Sequence, residues 1–420
     1  MGDEAGAKKP QLTGPLSRLS EDNITDILAR LPAKSVLRCG AVCKAWRGIT
    51  TDPGFLAAHA RLRPTDVVMY TYEYWSPSSP TPSPSLLYWD DDDHFVDVEL
   101  HAVPVSSDEA GRRHLIRYPD TQAWLLLASS DGVLLFKKDE GFYLLCNPTT
   151  RQWAQLPRLP RAQQDSRNHT DREFAFYLDI PSGEFRLLCR RSLTTNGTWC
   201  ILSTGGAAEP RQVDMAAAES SGITQLVPSL HTKETHVAFR GRLHWPPHQA
   251  CTVTGRTEMV VFDMSLERFH LMAGPSTTTG KFTKLFIGMD ELLGAADFGK
   301  AASHVDLWFL GDYDDNKSWE LRHRVATPWA GSPGGDGRPL LPVDLMSVAA
   351  AGDGEGNVML GNHKGLVVYN VRRKKTVRTV DTVAKPDALM TRHVFKESLV
   401  QQPGFVAAEQ SSLDLSLVRF

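Results

Sequence analysis

With 420 residues, a net charge of −3, 41% apolar and 23% charged residues, the chain has the make-up of a globular protein and lacks the basic excess of a general nucleic-acid binder. Its six cysteines are too few and too irregularly spaced for a disulfide scaffold. No run reaches the roughly 18 apolar residues of a membrane span, and residues 1–11 lack the apolar centre of a secretory signal. A cytoplasmic or nuclear protein with reduced thiols is therefore expected, with no nucleic-acid or membrane partner. The length exceeds what one core usually holds, so the fold is either repetitive or divided.

In chain order, residues 1–15 have little to bury and predict a disordered leader. Ser20 is placed to cap a helix, with Glu21 and Asp22 in the first turn where the dipole favours them. Ile24, Ile27, Leu28 and Leu31 follow at i, i+3, i+4 and i+7, one apolar stripe that Pro32 stops. Ser35 predicts the cap of a short second helix carrying Val36 and Leu37, broken at Gly40. Val42, Cys43 and Trp46 continue the stripe to Gly48. Asp52–Pro53, a cap followed by proline at the first helical position, starts a last helix from Pro53 to about Arg61. A block of about forty-five residues buries too little to stand comfortably alone. It must share its apolar face, either with the rest of the chain as a cap or with a partner.

The identities in this block separate the two possibilities. Leu19, Ile27–Leu28, Leu31–Pro32, Leu37–Arg38, Val42–Cys43–Lys44–Ala45–Trp46–Arg47 and Asp52–Pro53–Gly54–Phe55 occur in an order that resembles the F-box. Two positions depart from the family pattern: Ser20 stands where proline is usual and Gly40 where a basic residue is common. The resemblance implies docking on the Skp-type adaptor of an SCF ubiquitin ligase, and through it association with cullin and RING subunits. It implies that Leu19, Ile24, Ile27, Leu28, Leu31, Pro32, Leu37, Val42 and Trp46 form the apolar interface, some of them holding the module's own helices instead. Cys43 is expected to be a packed residue, and Lys44 and Arg47 to lie at a polar rim. The unbroken stripe predicts that Ser20→Pro with Gly40→Arg raises adaptor affinity less than about tenfold.

Beyond residue 64 the pattern is β. Val67 to Tyr74 is a strand candidate, Ser76 to Ser85 a Pro/Ser-rich loop, and Asp90 to Asp93 an acidic run whose adjacent carboxylates are poorly spaced for a calcium ion. From residue 123 short apolar runs alternate with turn groups such as Ser-Asp-Gly, Lys-Asp-Glu-Gly and Asn-Pro-Thr-Thr at hairpin spacing. Further units follow at 174–203, 237–272, 284–325 and 346–380. Counting the irregular segment 66–120, they make about six four-stranded units. Small sheets repeated at this period cover one another when packed radially, which predicts a β-propeller of about six blades rather than one β-sandwich. The marks LLLASSDGVLLF, CNPTTRQWAQLP, RGRLHW, VVFDMSLERF, VDLWFLGDY, GLVVYNVRRKKT and FKESLV, in that order, resemble the F-box-associated domain of plant F-box proteins. That resemblance implies substrate recognition. A long insertion before residue 100 and Gly-rich loops at 331–337 and 352–356 depart from it.

The fold expected is thus a small all-α F-box followed by an all-β propeller: leader 1–15, F-box 16–63, propeller 64–400, tail 401–420. Other motifs carry no chemistry on this reading. His244 and His248 flank two prolines, so no helix aligns them on a metal. Cys39 and Cys43 lack a second pair at zinc spacing. Gly352 to Gly356 lacks the Lys-Ser/Thr of a phosphate loop, and Arg372 to Lys375 reads as a solvated turn rather than an import signal. No Gly-x-Ser-x-Gly elbow occurs. The function expected is a non-catalytic substrate receptor with no cofactor or metal, its target protein unidentified. The rival expectations are a propeller enzyme or sugar-binding propeller with a helical cap, which predicts carboxylates converging on the central channel, and an F-box protein acting outside a ligase.

Overall fold

The computed structural model describes residues 19–75, 95–106, 112–119, 124–139, 141–159, 172–191, 198–206, 210–216, 223, 236–247, 258–276, 283–298, 304–315, 318–327, 349–362, 365–381, 388–407, 418 and 420. The Ser76–Ser85 loop, the Asp90–Asp93 run, His248 and the leader 1–15 lie outside them. The chain forms two compact units: residues 1–63 with Glu397–Val400, and residues 64–396 with 401–420.

Among its described residues the first unit has four helices: α1 (Glu21–Arg30), α2 (Ala33–Cys39), α3 (Lys44–Thr51) and α4 (Pro53–Leu62). Ser20 caps α1, its Oγ accepting from the Asn23 N–H at 3.2 Å. Asp52 caps α4, Oδ2 accepting from the Phe55 N–H at 2.8 Å, with Pro53 at the first position. Two expectations change. α2 begins at Ala33 with Pro32 at its cap, not at Ser35, because proline's fixed φ suits a helix start where a backbone donor is not needed. α3 runs through Gly48 to Thr51, since Gly48 faces open space and its weak propensity is offset by packing at Ile49 and Thr50. Leu28, Ala29, Ala33, Val36, Ile49, Phe55 and Leu56 form the core, joined by Leu399 from the far end of the chain.

The second unit is a six-bladed β-propeller. β1 (Asp66–Trp75), β2 (Phe95–Pro104) and β3 (Arg113–Pro119) come first. Blade one holds β4 (Leu125–Ser130), β5 (Val133–Asp139), β6 (Phe142–Asn147) and β7 (Gln152–Gln155). Blade two holds β8 (Arg172–Asp179), β9 (Glu184–Arg191), β10 (Thr198–Ser203) and β11 (Arg211–Gln212). Blade three holds β12 (Val237–Phe239), β13 (Arg242–His244), β14 (Glu258–Asp263) and β15 (Arg268–Ala273). Blade four holds β16 (Thr283–Ile287), β17 (Leu293–Asp297), β18 (His304–Leu310) and β19 (Trp319–Ala326). Blade five holds β20 (Ala349–Gly352), β21 (Asn357–Asn362), β22 (Gly365–Asn370) and β23 (Lys375–Asp381). Two strands remain, β24 (Ala388–Phe395) and β25 (Val406–Ala407).

The expected unit at 66–120 is not self-sufficient. Its three strands are completed by β24, which pairs antiparallel with β1 from Asp66↔Phe395 to Thr71↔Ala388, giving blade six the order β24-β1-β2-β3. Three strands from one end of the domain and one from the other thereby close the ring. β25 adds a fifth strand outside β7.

Each pair of neighbouring blades encloses its own apolar core. Trp153 and Phe136 meet Leu100 and Phe395 between blades one and six; Tyr143 and Phe185 lie between one and two; Trp199 and Phe262 between two and three. Met259 and Leu285 lie between three and four, Phe286 and Leu360 between four and five, and Met359 and Val67 between five and six. Cores on both sides explain strands such as β6, which is buried along its whole length and shows no polar alternation. The expected Ser-Asp-Gly turn joins β4 to β5 through two residues, Asp131 and Gly132, both at positive φ (49° and 82°), the geometry of a two-residue hairpin turn. Arg240 and Gly241 repeat it between β12 and β13 with φ of 48° and 73°.

Candidate functional site

Within the helical unit, α4 fixes the end of α1. Buried His59 donates from Nε2 to the Leu31 carbonyl at 2.9 Å, and Arg63 donates from Nη2 to the Ala29 carbonyl at 3.0 Å. These satisfy helix-end carbonyls that α1 cannot pair itself. Burial pulls the His59 pKa below its ordinary value; the Leu31 carbonyl raises it in part, Arg63 lowers it further and Glu397 raises it. Cys43 caps α3, its Sγ accepting from the Trp46 N–H at 3.5 Å.

The nine residues expected to form an interface divide into three groups. Leu28 is 2% exposed and belongs to the core. Leu19, Ile24, Leu31 and Trp46 are half-buried, and the last three pack against that core. Pro32 is exposed, and so are Ile27 at 50%, Leu37 at 53% and Val42 at 66%. Leu62, at the end of α4, is a further exposed aliphatic side chain that the motif does not mark. Among the described residues, four large aliphatic side chains are thus exposed on this small unit. Gly40, where the family often has a basic residue, lies against α3: a Cβ there would come within 2.8 Å of Thr50 Oγ1, which donates to the Trp46 carbonyl at 2.9 Å.

In the propeller the first strands stand side by side, β12 by β16, β16 by β20, β20 by β24, β24 by β4 and β4 by β8. They enclose a cavity of about 100 Å³ lined by Ser129, Glu173, His236, Leu285, Ala350 and Arg392 among others. That is below the roughly 300 Å³ at which small-molecule pockets begin. Glu173 is the carboxylate among the described lining residues, and it accepts from Tyr143 Oη at 2.7 Å and Lys137 Nζ at 2.9 Å. A glycosidase needs two carboxylates facing one substrate, and these residues do not supply that pair. Burial takes the His236 pKa down to about 4 and holds His393 well below its ordinary value; the Arg392 guanidinium pushes both the same way.

His244, rejected above as a metal ligand, has both ring nitrogens engaged. Nδ1 donates to the Val237 carbonyl at 3.3 Å, so Nε2 accepts from Tyr313 Oη at 2.7 Å. Among the described residues no group of three His, Cys, Asp or Glu is placed to hold a metal. At the hairpin turns, Arg186 bridges Asp179 at 2.9 Å and Glu267 at 3.3 Å, and Arg211 also pairs with Glu267, joining blades two and three. Among the described residues no helix is long and apolar enough to cross a membrane.

Comparison with known proteins names the first of these parts and aligns most of the chain with relatives. A model of the F-box domain matches residues 16–57. Three Arabidopsis thaliana proteins align along most of the chain. F-box protein At3g07870 is 24% identical over 78% of this chain and 79% of its own length. F-box protein At5g49610 is 22% identical over 90% and 96%, and F-box protein CPR1 is 21% identical over 74% of each. Among solved structures, a chain of the nidogen/laminin complex aligns with 80% of this chain and 99% of its own at 11% identity and a TM-score of 0.39, too low to bear on fold or function. The helical motif, the closed ring of six sheets and these alignments agree: the chain is an F-box protein with a C-terminal β-propeller, homologous to Arabidopsis F-box proteins.

Proposed function

We propose that this chain is the substrate receptor of an SCF-type ubiquitin ligase. F-box proteins as a family are substrate adaptors and are typically non-catalytic. Here the F-box, residues 16–63, docks on a Skp-type adaptor, and the propeller holds a target protein. The observation that carries this reading is the exposure of Ile27, Leu37 and Val42, all within the F-box motif, beside a small packed core of Leu28, Val36, Ile49, Phe55 and Leu56. Those three, with Pro32, are the direct contacts, and Leu19, Ile24, Leu28, Leu31 and Trp46 support them from within. The mechanism is proximity: a receptor bound at both ends keeps a target lysine near the conjugating enzyme and raises its effective concentration, needing no nucleophile of its own.

The test is co-purification of the full chain with a Skp-type adaptor and a cullin. The parent chain retains both. Leu37→Asp with Val42→Asp loses both while the propeller unfolds at an unchanged temperature, because these side chains make no contribution to a core. Retention of the adaptor by that double variant would refute the assignment. Adaptor binding without cullin would leave the docking intact and remove the ligase.

A further inference from the structure

The FKESLV mark is divided between the two units: Phe395 and Lys396 belong to the propeller and the other four residues to the helical unit. Phe395 ends β24 and is fully buried among blades one and six. Glu397–Val400 then belongs to the helical unit. Leu399 is 4% exposed and is a member of the helical core with Leu28, Val36, Ile49 and Leu56; Val400 packs against the same core, and Ser398 is buried. Glu397 Oε2 accepts from the backbone N–H of Ala33 at 3.4 Å, across 364 residues of chain. Pro32, which caps α2, offers no side chain for that purpose. The Glu397 charge also acts on buried His59, which itself holds the Leu31 carbonyl. The Leu31–Pro32–Ala33 junction is therefore fixed by α4 on one side and by Glu397 on the other.

We propose that Glu397–Val400 is a working part of the adaptor-docking module, so that docking competence depends on residues near the end of the chain. The proposal rests on the docking function above. A module this small has little core to lose. Leu399 supplies one of its few fully buried large side chains, and α2, whose start Glu397 caps, carries exposed Leu37. When only a fraction of molecules holds the competent form, apparent affinity falls by that fraction. One consequence follows for synthesis. A chain that ends before residue 397 presents four helices with an unfilled core, and the adaptor therefore selects chains whose propeller has been translated.

The experiment uses the full chain and a purified Skp-type adaptor, with Leu399→Ala, Leu399→Met, Glu397→Gln and Leu37→Asp as variants. Affinity and amide hydrogen exchange are measured for each. Leu399→Ala is expected to weaken adaptor binding about tenfold and to speed exchange in α1 and α2, while exchange in the propeller strands stays as in the parent. Leu399→Met, which refills the volume, recovers most of the affinity. Glu397→Gln keeps the shape and loses the charge, and weakens binding about threefold. Should Leu399→Ala fail to fold, the Glu397→Gln and Leu399→Met results decide. Affinity and exchange within twofold of the parent in Leu399→Ala, or in Glu397→Gln where that variant alone folds, would overturn the proposal. Leu37→Asp separates the two claims: if it abolishes binding while the Leu399 and Glu397 variants do nothing, docking stands and this inference falls. If Leu37→Asp has no effect, the docking function fails, and faster exchange in α1 and α2 of Leu399→Ala alone decides whether the segment completes the module.

Discussion

The helical unit and the propeller solve the same problem, the covering of apolar surface, in opposite ways. In the propeller each sheet is too small to hide its faces, but the next blade hides them, and closure through β24 leaves no pair of neighbours without a core between them. Of its exposed aliphatic side chains, Ile180 and Leu266 sit at hairpin turns next to the ionic residues Asp179 and Glu267, while Leu125, Leu321, Val394 and Val406 lie on strands. The helical unit is not built from repeats. It packs one face with the help of Leu399 and leaves Ile27, Leu37 and Val42 in water. A repeat can complete itself by repetition; on the proposed function, a short helical module is completed by a partner. On the proposed function, exposure on the helical unit marks an interface, which exposure at a propeller turn does not.

Four substitutions or conditions break or sharpen that contrast. The largest effect belongs to the propeller core. Trp153→Ala removes a fully buried ring that packs on Phe136 and Trp124, and is expected to lower unfolding free energy by about 4 kcal/mol in denaturant titration while adaptor affinity is retained. Acid comes next. His244 is buried and its pKa lies at about 4 against 6.5 unperturbed, so the unfolded chain binds the proton more readily. Its contribution is whole above pH 6.5 and is lost as pH falls toward 4, on the order of 3 kcal/mol, which a series of denaturant titrations between pH 7 and 4 measures. His236 and His393 act in the same direction, so the propeller loses stability across this window, and replacing His244 with Gln flattens the profile.

The third is the docking surface: Val42→Asp alone is expected to weaken adaptor binding by about 2 kcal/mol with no change in melting temperature, read by titration calorimetry. The smallest concerns Gly40. Gly40→Arg is expected to lower the stability of the helical unit by about 1 kcal/mol rather than to improve docking, because its Cβ would press on Thr50 Oγ1. Thr50→Ala should relieve it, and a double-mutant cycle measures the coupling.

Much of the fold was legible because its local signals agree with its packing. Ser20, Asp52 and Pro53 mark helix starts by capping chemistry, and Asp131–Gly132 marks a hairpin by the sign of φ. The repeat of short apolar runs then calls for radial packing. What was not legible depends on distant partners. Nothing in Ala388–Phe395 says that it pairs with β1, since ring closure is a property of the whole domain. Nothing in the spacing of Leu399 assigns it to a helical core. The motif likewise groups Leu28 with Ile27, although one is buried and the other exposed, because a helix stripe fixes direction to within a turn and packing decides the rest. Gly40 reads as a missing basic residue until Thr50 is seen beside it.

The central claim is that the apolar side chains exposed on the helical unit are one half of an interface. It is tested most directly by titrating the full chain with a purified Skp-type adaptor, beside Leu37→Asp/Val42→Asp. The account predicts saturable binding by the parent and at least a hundredfold loss in the double variant, about 2.7 kcal/mol, with both proteins melting at the same temperature. Equal affinity of the two, or no binding by either, would contradict it.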